Sequence, residues 1–343
     1  MRLTLLLPDL LWPAQALRDA TDDLPLPSLA TLLGRGCVTV GTPATVEAWL
    51  ADALCMDIAS WPGAALRLLG AGQTPGAGYW LCADPARIVL TASGMPLDDP
   101  ADLALTAEEC RQLRQALAPL FEDIDGGLVA TAPGHWHLCL PGPLRLGTTP
   151  LSEATGRDVK GLLPGGADAR PWRARLNEAQ ILLHGHPVNR AREAAGRPTA
   201  NTLWFWGEGA LPAPLRLRWR RLFWDDPLAG GLARLAGMED PGATAPRRLA
   251  DLPAGDGATL VVLDHLAAPT RARDALAWRS SLEGLEADWF RPLWEGLWGG
   301  RIGGLELVSP GEAGTLRLQL SPGDRWRFWR RPVALAALAE RLP

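Results

Sequence analysis

The chain has 343 residues, a formal net charge of −4 at pH 7, 47% hydrophobic residues and 21% charged residues. That composition, over the length of about two domains of ~150 residues each, supports a large core and excludes bulk disorder. The acidic balance argues against a general nucleic-acid binder, and five widely spaced cysteines with no Cys-x-x-Cys pair signal neither a zinc cluster nor a disulfide framework.

No run of about 18 apolar residues occurs, so no membrane span is expected. The apolar run at the N-terminus is too short for a signal peptide and is interrupted by Asp9. The expectation is a cytoplasmic protein with free, buried thiols.

Taken in order, Leu3 to Leu7 reads as a buried first strand with Pro8-Asp9 at its exit. Residues 25–34 read as a short helix capped by Ser28 and closed by Gly34, and Thr45 to Leu54 as another helix. From about 61 to 171 the character changes. A strand in YWLCADPARIVL is followed by an amphipathic helix in which Thr106 and Glu109 form a capping box, and by two hairpin strands, LVATAP and HWHLCLPG. Together they predict a small α+β lobe, with 163–172 as the linker leading back out of it. His135 and His137 fall on one strand face, taken as half-exposed.

The polar residues concentrate between Asn177 and Gly209. NEAQILL ends a helix, and HGHP breaks it, because Gly185 is permissive and Pro187 drives His186 towards an extended conformation. VNRAREAAG is a second helix with Gly196 as its C-terminal cap, and TLWFW is a strand buried on both faces, leading into Gly207-Glu208-Gly209. In an open α/β sheet such a strand end borders the ligand crevice. Further on, residues 225–238 read as a helix, 258–266 as a buried strand, 271–290 as a long helix, and LELVSP with TLRLQL as an antiparallel pair. In the closing RWRFWRR, a strand would turn Arg325, Arg327 and Trp329 one way and Trp326, Phe328 and Arg330 the other. In an acidic chain the segment is assigned to packing, an internal salt bridge or a protein partner rather than to nucleic acid.

HPVNRAREAAGRPTANTLWFWGEG resembles the segment "HPVN, Arg, Gly, Ala-Asn, apolar strand, Gly" of the archaeal-type, cofactor-independent phosphoglycerate mutases, members of the alkaline-phosphatase-like superfamily. Its tryptophan-rich form is most similar to a bacterial side branch, the regulatory proteins of RpfE type. The resemblance implies an α/β, alkaline-phosphatase-like core, a mostly parallel sheet between helices, formed by residues 1–60 and 172–343, with the α+β lobe inserted at 61–171. It also implies two divalent metals, manganese or magnesium, held by Asp and His at strand ends beside a nucleophilic serine.

Set against that pattern, Asp9 matches the first-strand ligand. Thr45 falls at the nucleophile position and Trp49 replaces a histidine. The late ligand motif falls on Ala267, Arg271 and Asp274, and no Asp-His pair occurs near 307–312. An indole cannot ligate a metal and an arginine repels one, so no metal cofactor is expected, and Asp9 and Asp274 are vestigial ligands. A divalent metal returns only if the site has been rebuilt, for instance from His184, His186 or His265 with Asp264.

The candidate catalytic groups are Thr45, Asp264 and His265. His186, Asn189, Arg192 and Asn201 are the candidate ligand-binding residues, with Arg192 and Arg190 holding a phosphate or carboxylate. The structural alternative has both asparagines tying loops to backbone and Arg192 pairing with Glu178 or Glu193. The leading expectation is a catalytically degenerate mutase-like protein with a regulatory or ligand-binding role, its partner a small phosphorylated or acidic metabolite or a protein. The competing ones are an active mutase or other phosphotransferase with a rebuilt site, and a nucleic-acid-binding regulator.

Overall fold

The computed structural model describes residues 1–58, 61–92, 94–124, 127–238 and 244–342. Ten strands follow in chain order: β1 (Arg2–Leu6), β2 (Cys37–Gly41), β3 (Tyr79–Ala86), β4 (Leu128–Ala132), β5 (His135–Leu140), β6 (Thr202–Gly209), β7 (Arg221–Phe223), β8 (Ala258–Val262), β9 (Leu305–Ser309) and β10 (Thr315–Leu320). The chain divides into two compact units, Met1–Cys55 with Leu215–Pro343, and Met56–Pro214.

The first unit is built on a six-stranded sheet of order β2-β10-β9-β1-β8-β7. Strands β9, β1, β8 and β7 run parallel, and β10 and β2 add an antiparallel edge. The reason lies in the strand sequences. β1 and β8 are nearly continuous apolar runs, as strands covered on both faces must be, whereas β10 alternates buried and exposed. Leu5, Leu7, Leu29, Val261, Trp278, Trp289 and Leu307 are all buried in one core cluster.

The helix Pro27–Arg35 is not capped by Ser28 as expected. Its N-cap is Leu26, and the buried Glu286 accepts from the Ser28 and Leu29 N–H groups at 2.7 and 3.1 Å. A carboxylate 258 positions away thus does the work of a local cap. The long late helix starts at Ala275, passes through a π-helical turn at Glu286–Phe290, and continues as Arg291–Trp298. The turn sits where Glu286 reaches the earlier helix.

The second unit carries a four-stranded antiparallel sheet of order β4-β5-β3-β6. The expected capping box of Thr106 and Glu109 opens the helix Ala107–Leu117, and β4 and β5 form the expected hairpin. The far boundary differs from expectation. The helices Ala169–His184 and Pro187–Ala194 and strand β6 belong to this unit, so the chain leaves it at 214/215 rather than at 171/172, and enters it at 55/56 rather than at 60/61. The cause is pairing: β6 lies antiparallel to β3, with Ala83 opposite Phe205 and Asp84 opposite Trp204. TLWFW is buried on both faces, yet it is an edge strand of this small sheet and not a member of the parallel one.

Two smaller expectations also change. His137 is fully buried, not half-exposed, and Cys37 and Cys55 are exposed thiols rather than buried ones. Among the described residues no helix is long and apolar enough to cross a membrane.

Candidate functional site

In a parallel sheet, chemistry gathers at the C-terminal ends of the strands. Asp9 stands there, just past β1, where the resemblance implies a first-strand ligand. Its backbone is left-handed, φ 63°, a conformation an aspartate tolerates better than most residues but which still costs energy. Its surroundings hold it there. The Asp9 N–H donates to Pro310 O at 2.9 Å, the Trp278 indole donates to Asp9 O at 3.0 Å, and Leu10 N–H donates to the Ser309 hydroxyl at 3.0 Å. Gly311 comes so close that a Cβ there would stand 3.2 Å from Asp9 Oδ1. The Trp12 indole lies 4.9 Å from that of Trp278 and donates to Thr270 Oγ1 at 3.0 Å, which fixes the helix carrying Arg271.

The charged neighbours of Asp9 are Arg271 and Glu312. Burial pushes the Asp9 carboxyl up to about 7, Arg271 pulls it back, and Glu312 pushes it further up. Desolvation therefore outweighs the single guanidinium, and Asp9 exchanges its proton near neutrality. Glu312 was not anticipated as a member of this cluster. The available signal was an acidic residue just beyond β9, whose end lies beside that of β1.

The donors present do not fit a two-metal centre. Arg271, a fixed cation, lies within electrostatic reach of Asp9, and Asp274 is exposed and caps the helix Ala275–Leu285 by accepting from Ala277 N–H at 3.0 Å. Among the described residues no three His, Cys, Asp or Glu side chains gather as metal ligands. Thr45 is likewise a helix cap, its hydroxyl accepting from Ala48 N–H at 3.1 Å, and Trp49 is buried against Trp219 at 5.8 Å. Asp264 and His265 follow β8 directly and are exposed.

The four expected ligand-binding residues lie in the other unit, where each has hydrogen-bond partners within the chain. His186 caps the helix Pro187–Ala194, its Nδ1 accepting from Val188 N–H at 3.2 Å. Asn189, buried, donates to Leu183 O and Ala200 O at 2.8 and 2.6 Å. Asn201 pairs both ways with the Ile88 backbone at 2.8 Å. Arg192 is 1% exposed and donates to Pro198 O, Leu103 O and Glu109. Its carboxylate partner is Glu109, neither Glu178 nor Glu193. Most of those polar groups are committed to the chain itself, Asn189 Oδ1 being the buried exception, because loops around β6 and the helix Ala107–Leu117 must satisfy buried carbonyls somewhere. His184 ends the preceding helix, exposed.

One polar cluster escaped sequence reasoning altogether. Asp84, on β3 and fully buried, accepts from Arg67 Nη1 at 2.7 Å, from the Trp206 indole at 2.8 Å and from Trp136 N–H at 3.0 Å. Arg67 lies over the Trp206 ring at 5.2 Å, and His137 contacts Thr131 at 3.2 Å. Burial alone would raise the Asp84 carboxyl, but the Arg67 charge and hydrogen bond, helped by His135 and His137, hold it below its ordinary range. Burial and the Arg67 charge lower His137 to about 3 and His135 to about 4, so both are neutral at pH 7. The signal was one charge in each of two apolar runs, GAALRLLG and YWLCADPA.

This topology, a mostly parallel sheet with a second unit inserted after its second strand, defines an alkaline-phosphatase-like α/β protein. It superposes on the cofactor-independent phosphoglycerate mutase of Thermoplasma acidophilum with TM-score 0.51 and 19% identity, covering 98% of this chain and 94% of that one. On the PH0037 protein of Pyrococcus horikoshii the TM-score is 0.57 at 15% identity, covering 98% and 92%.

The chain is related to the cofactor-independent phosphoglycerate mutases. It is 29% identical over 178 residues to the 2,3-bisphosphoglycerate-independent phosphoglycerate mutase of Methanothrix thermoacetophila, 51% of this chain and 43% of that protein. It is 36% identical over 64 residues to the Methanosarcina barkeri enzyme of the same name, 19% of this chain and 16% of that one. The matched stretches thus span less than half the length of these curated relatives. No protein-family model matches the chain.

Proposed function

We propose that this protein is a catalytically degenerate relative of the phosphoglycerate mutases, of the RpfE type, acting in the cytoplasm as a regulator. In this proposal it binds a small phosphorylated or acidic metabolite, or a protein, instead of turning over phosphoglycerate. The observation that carries it is the arginine beside Asp9: Arg271 brings a permanent positive charge to the strand tips, where the resemblance implies a metal ligand. A guanidinium there compensates a carboxylate and recognises phosphate or carboxylate, but it offers no open coordination position at which a nucleophile and a phosphoryl oxygen could be held together, as a metal ion does. The ligand site is accordingly moved from His186, Asn189, Arg192 and Asn201 to the tip of β1.

A second reading, an active mutase or phosphotransferase with a rebuilt site, is favoured by one feature. Asp9 is strained and titrates near neutrality, both common at working active sites. Mutase assays on the intact protein with added manganese, alongside calorimetric titration with 3-phosphoglycerate, separate the two. The degenerate reading expects no turnover and no stoichiometric metal, with any anion binding lost in Arg271→Ala. Turnover that requires metal and disappears in Asp9→Ala would replace it with the second.

A further inference from the structure

All the aromatic side chains that stand exposed among the described residues lie on one patch of the first unit: Trp298 at 52%, Trp326 at 56%, Phe328 at 75% and Trp329 at 68% exposure. The segment expected to pack as a strand does not do so. Pro322 and a capping box between Ser321 and Asp324 start a 3-10 turn, Pro322–Trp326, and a bonded turn follows, with Phe328 N–H donating to Trp326 O at 2.8 Å and Arg330 N–H to Arg327 O at 3.0 Å. Such a turn cannot bury alternate side chains against a sheet, so the rings stay in solvent.

The rings form two contacting groups. Trp294, Trp298 and Trp326 follow one another at 6.0 and 5.5 Å, and Phe328 meets Trp329 edge-on at 5.4 Å. Between and beside them stand Arg325, Arg327, Arg330 and Arg331, with no acidic residue within 325–331. Asp324 is buried and paired with Arg327, and the exposed Glu295 lies on the helix that carries Trp294 and Trp298. Arg325 donates to Trp298 O at 2.8 Å and lies over the Trp326 ring at 5.1 Å, and Arg330 donates to Gly36 O at 3.2 Å. These carbonyl bonds hold the Arg325 and Arg330 guanidiniums in place without neutralising them. An acidic chain thus carries a local, pre-ordered surface of flat rings interleaved with positive charge.

We propose that this surface binds single-stranded nucleic acid, its rings stacking on bases and its arginines contacting phosphates. The chemistry of the patch selects that occupant. A protein interface is also enriched in aromatic residues and arginine, but its fully buried centre is more apolar than the surface around it. Here guanidiniums separate the rings at intervals of one or two residues, and no aliphatic side chain occurs between Arg325 and Arg331. A ligand that itself alternates flat apolar rings with anions fits such a surface, and stacking tolerates any base. The exclusion drawn from net charge applies to the whole molecule and not to this patch.

The test uses the intact protein and fluorescence anisotropy of labelled oligo-dT and oligo-U of about 20 nucleotides, with a duplex of equal length and poly-glutamate as competitors. Binding of the single strands is expected, with a log–log salt slope of about −2 to −3, the release expected for three or four phosphates at about 0.7 each. Phe328→Ala and Trp329→Ala should each weaken binding about tenfold, within the range of one lost base stack, with unchanged circular dichroism. Arg327→Gln with Arg330→Gln and Arg331→Gln should flatten the slope. If oligo-dT binds and oligo-U does not, or the reverse, the surface reads the sugar or the thymine methyl and the proposal stands for that strand alone. No binding at low salt overturns the proposal. So does binding that the ring variants leave unchanged, or a preference for duplex. Displacement by poly-glutamate at equal charge would reassign the patch to acidic protein partners.

Discussion

Two aspartates, Asp84 fully buried and Asp9 half-buried, meet opposite fates in this molecule. Asp84, inside the inserted unit, has a guanidinium, an indole and a backbone N–H as donors, and its carboxyl is held below its ordinary range. Asp9, at the tip of β1, has strained backbone, one compensating arginine and one opposing glutamate, and its carboxyl is raised to about 7. Burial is costly to both, and the supply of donors decides the outcome. The inserted unit spends its polar residues on its own architecture, while the strand tips of the parallel sheet keep a carboxylate that the fold does not fully satisfy. Incomplete satisfaction is the mark of a place that binds something or once did.

The sharpest way to break this comparison is Asp84→Ala. It leaves Arg67 buried without its carboxylate and should cost about 3–5 kcal/mol in urea unfolding. A cost under about 1 kcal/mol would show that the cluster is not structural. Because the folded carboxyl is depressed from 3.8, its contribution is complete above that value and is lost as pH falls through the folded value, so Asp84→Asn should flatten the acid arm of the stability profile.

Arg192→Ala comes next, at about 2–3 kcal/mol. It frees the carbonyls of Leu103 and Pro198, while Glu109 retains Arg197. Loss of ligand binding with full stability would instead restore Arg192 to a ligand site.

Asp9→Asn should act in the opposite direction. A carboxyl raised from 3.8 to about 7 makes the folded state lose stability as pH rises between those values, after which the penalty is constant. Asparagine carries no such penalty and accepts left-handed backbone, so the variant should gain about 1–2 kcal/mol above pH 7, after allowance for solvent screening. Near pH 4 it should match the parent. Thermal unfolding across pH reads both. A variant less stable at pH 8, together with a manganese-dependent rise in Tm of the parent alone, would favour the rebuilt metal site.

The smallest effect is expected from Thr45→Ala, about 1 kcal/mol through loss of a helix cap, restored by Thr45→Ser. A change in ligand binding without a change in stability would return Thr45 to the list of reactive groups.

Local features were legible in the residues alone. β1, β8 and the β9–β10 pair followed from apolar runs, and the Thr106–Glu109 box followed from short-range chemistry. The relation to the mutases was likewise visible from 177–209, and so was the mismatch at Trp49 and Arg271. The sequence did not show which sheet that stretch joins, because β6 is assigned by its pairing with β3, more than 100 positions earlier.

The roles of Asn189, Arg192 and Asn201 depended on the same fact. A polar side chain reads the same whether it awaits a ligand or a carbonyl, and only the fold brought Leu103, Glu109 and Ile88 within reach. The exposure of the aromatic patch was also decided in three dimensions, since RWRFWRR carries strand-like alternation until Pro322 and the Ser321–Asp324 box turn it. Periodicity and caps act over a few residues and are written in the chain. Pairing, desolvation and the compensation of buried charge act across hundreds, and only the tertiary structure settles them.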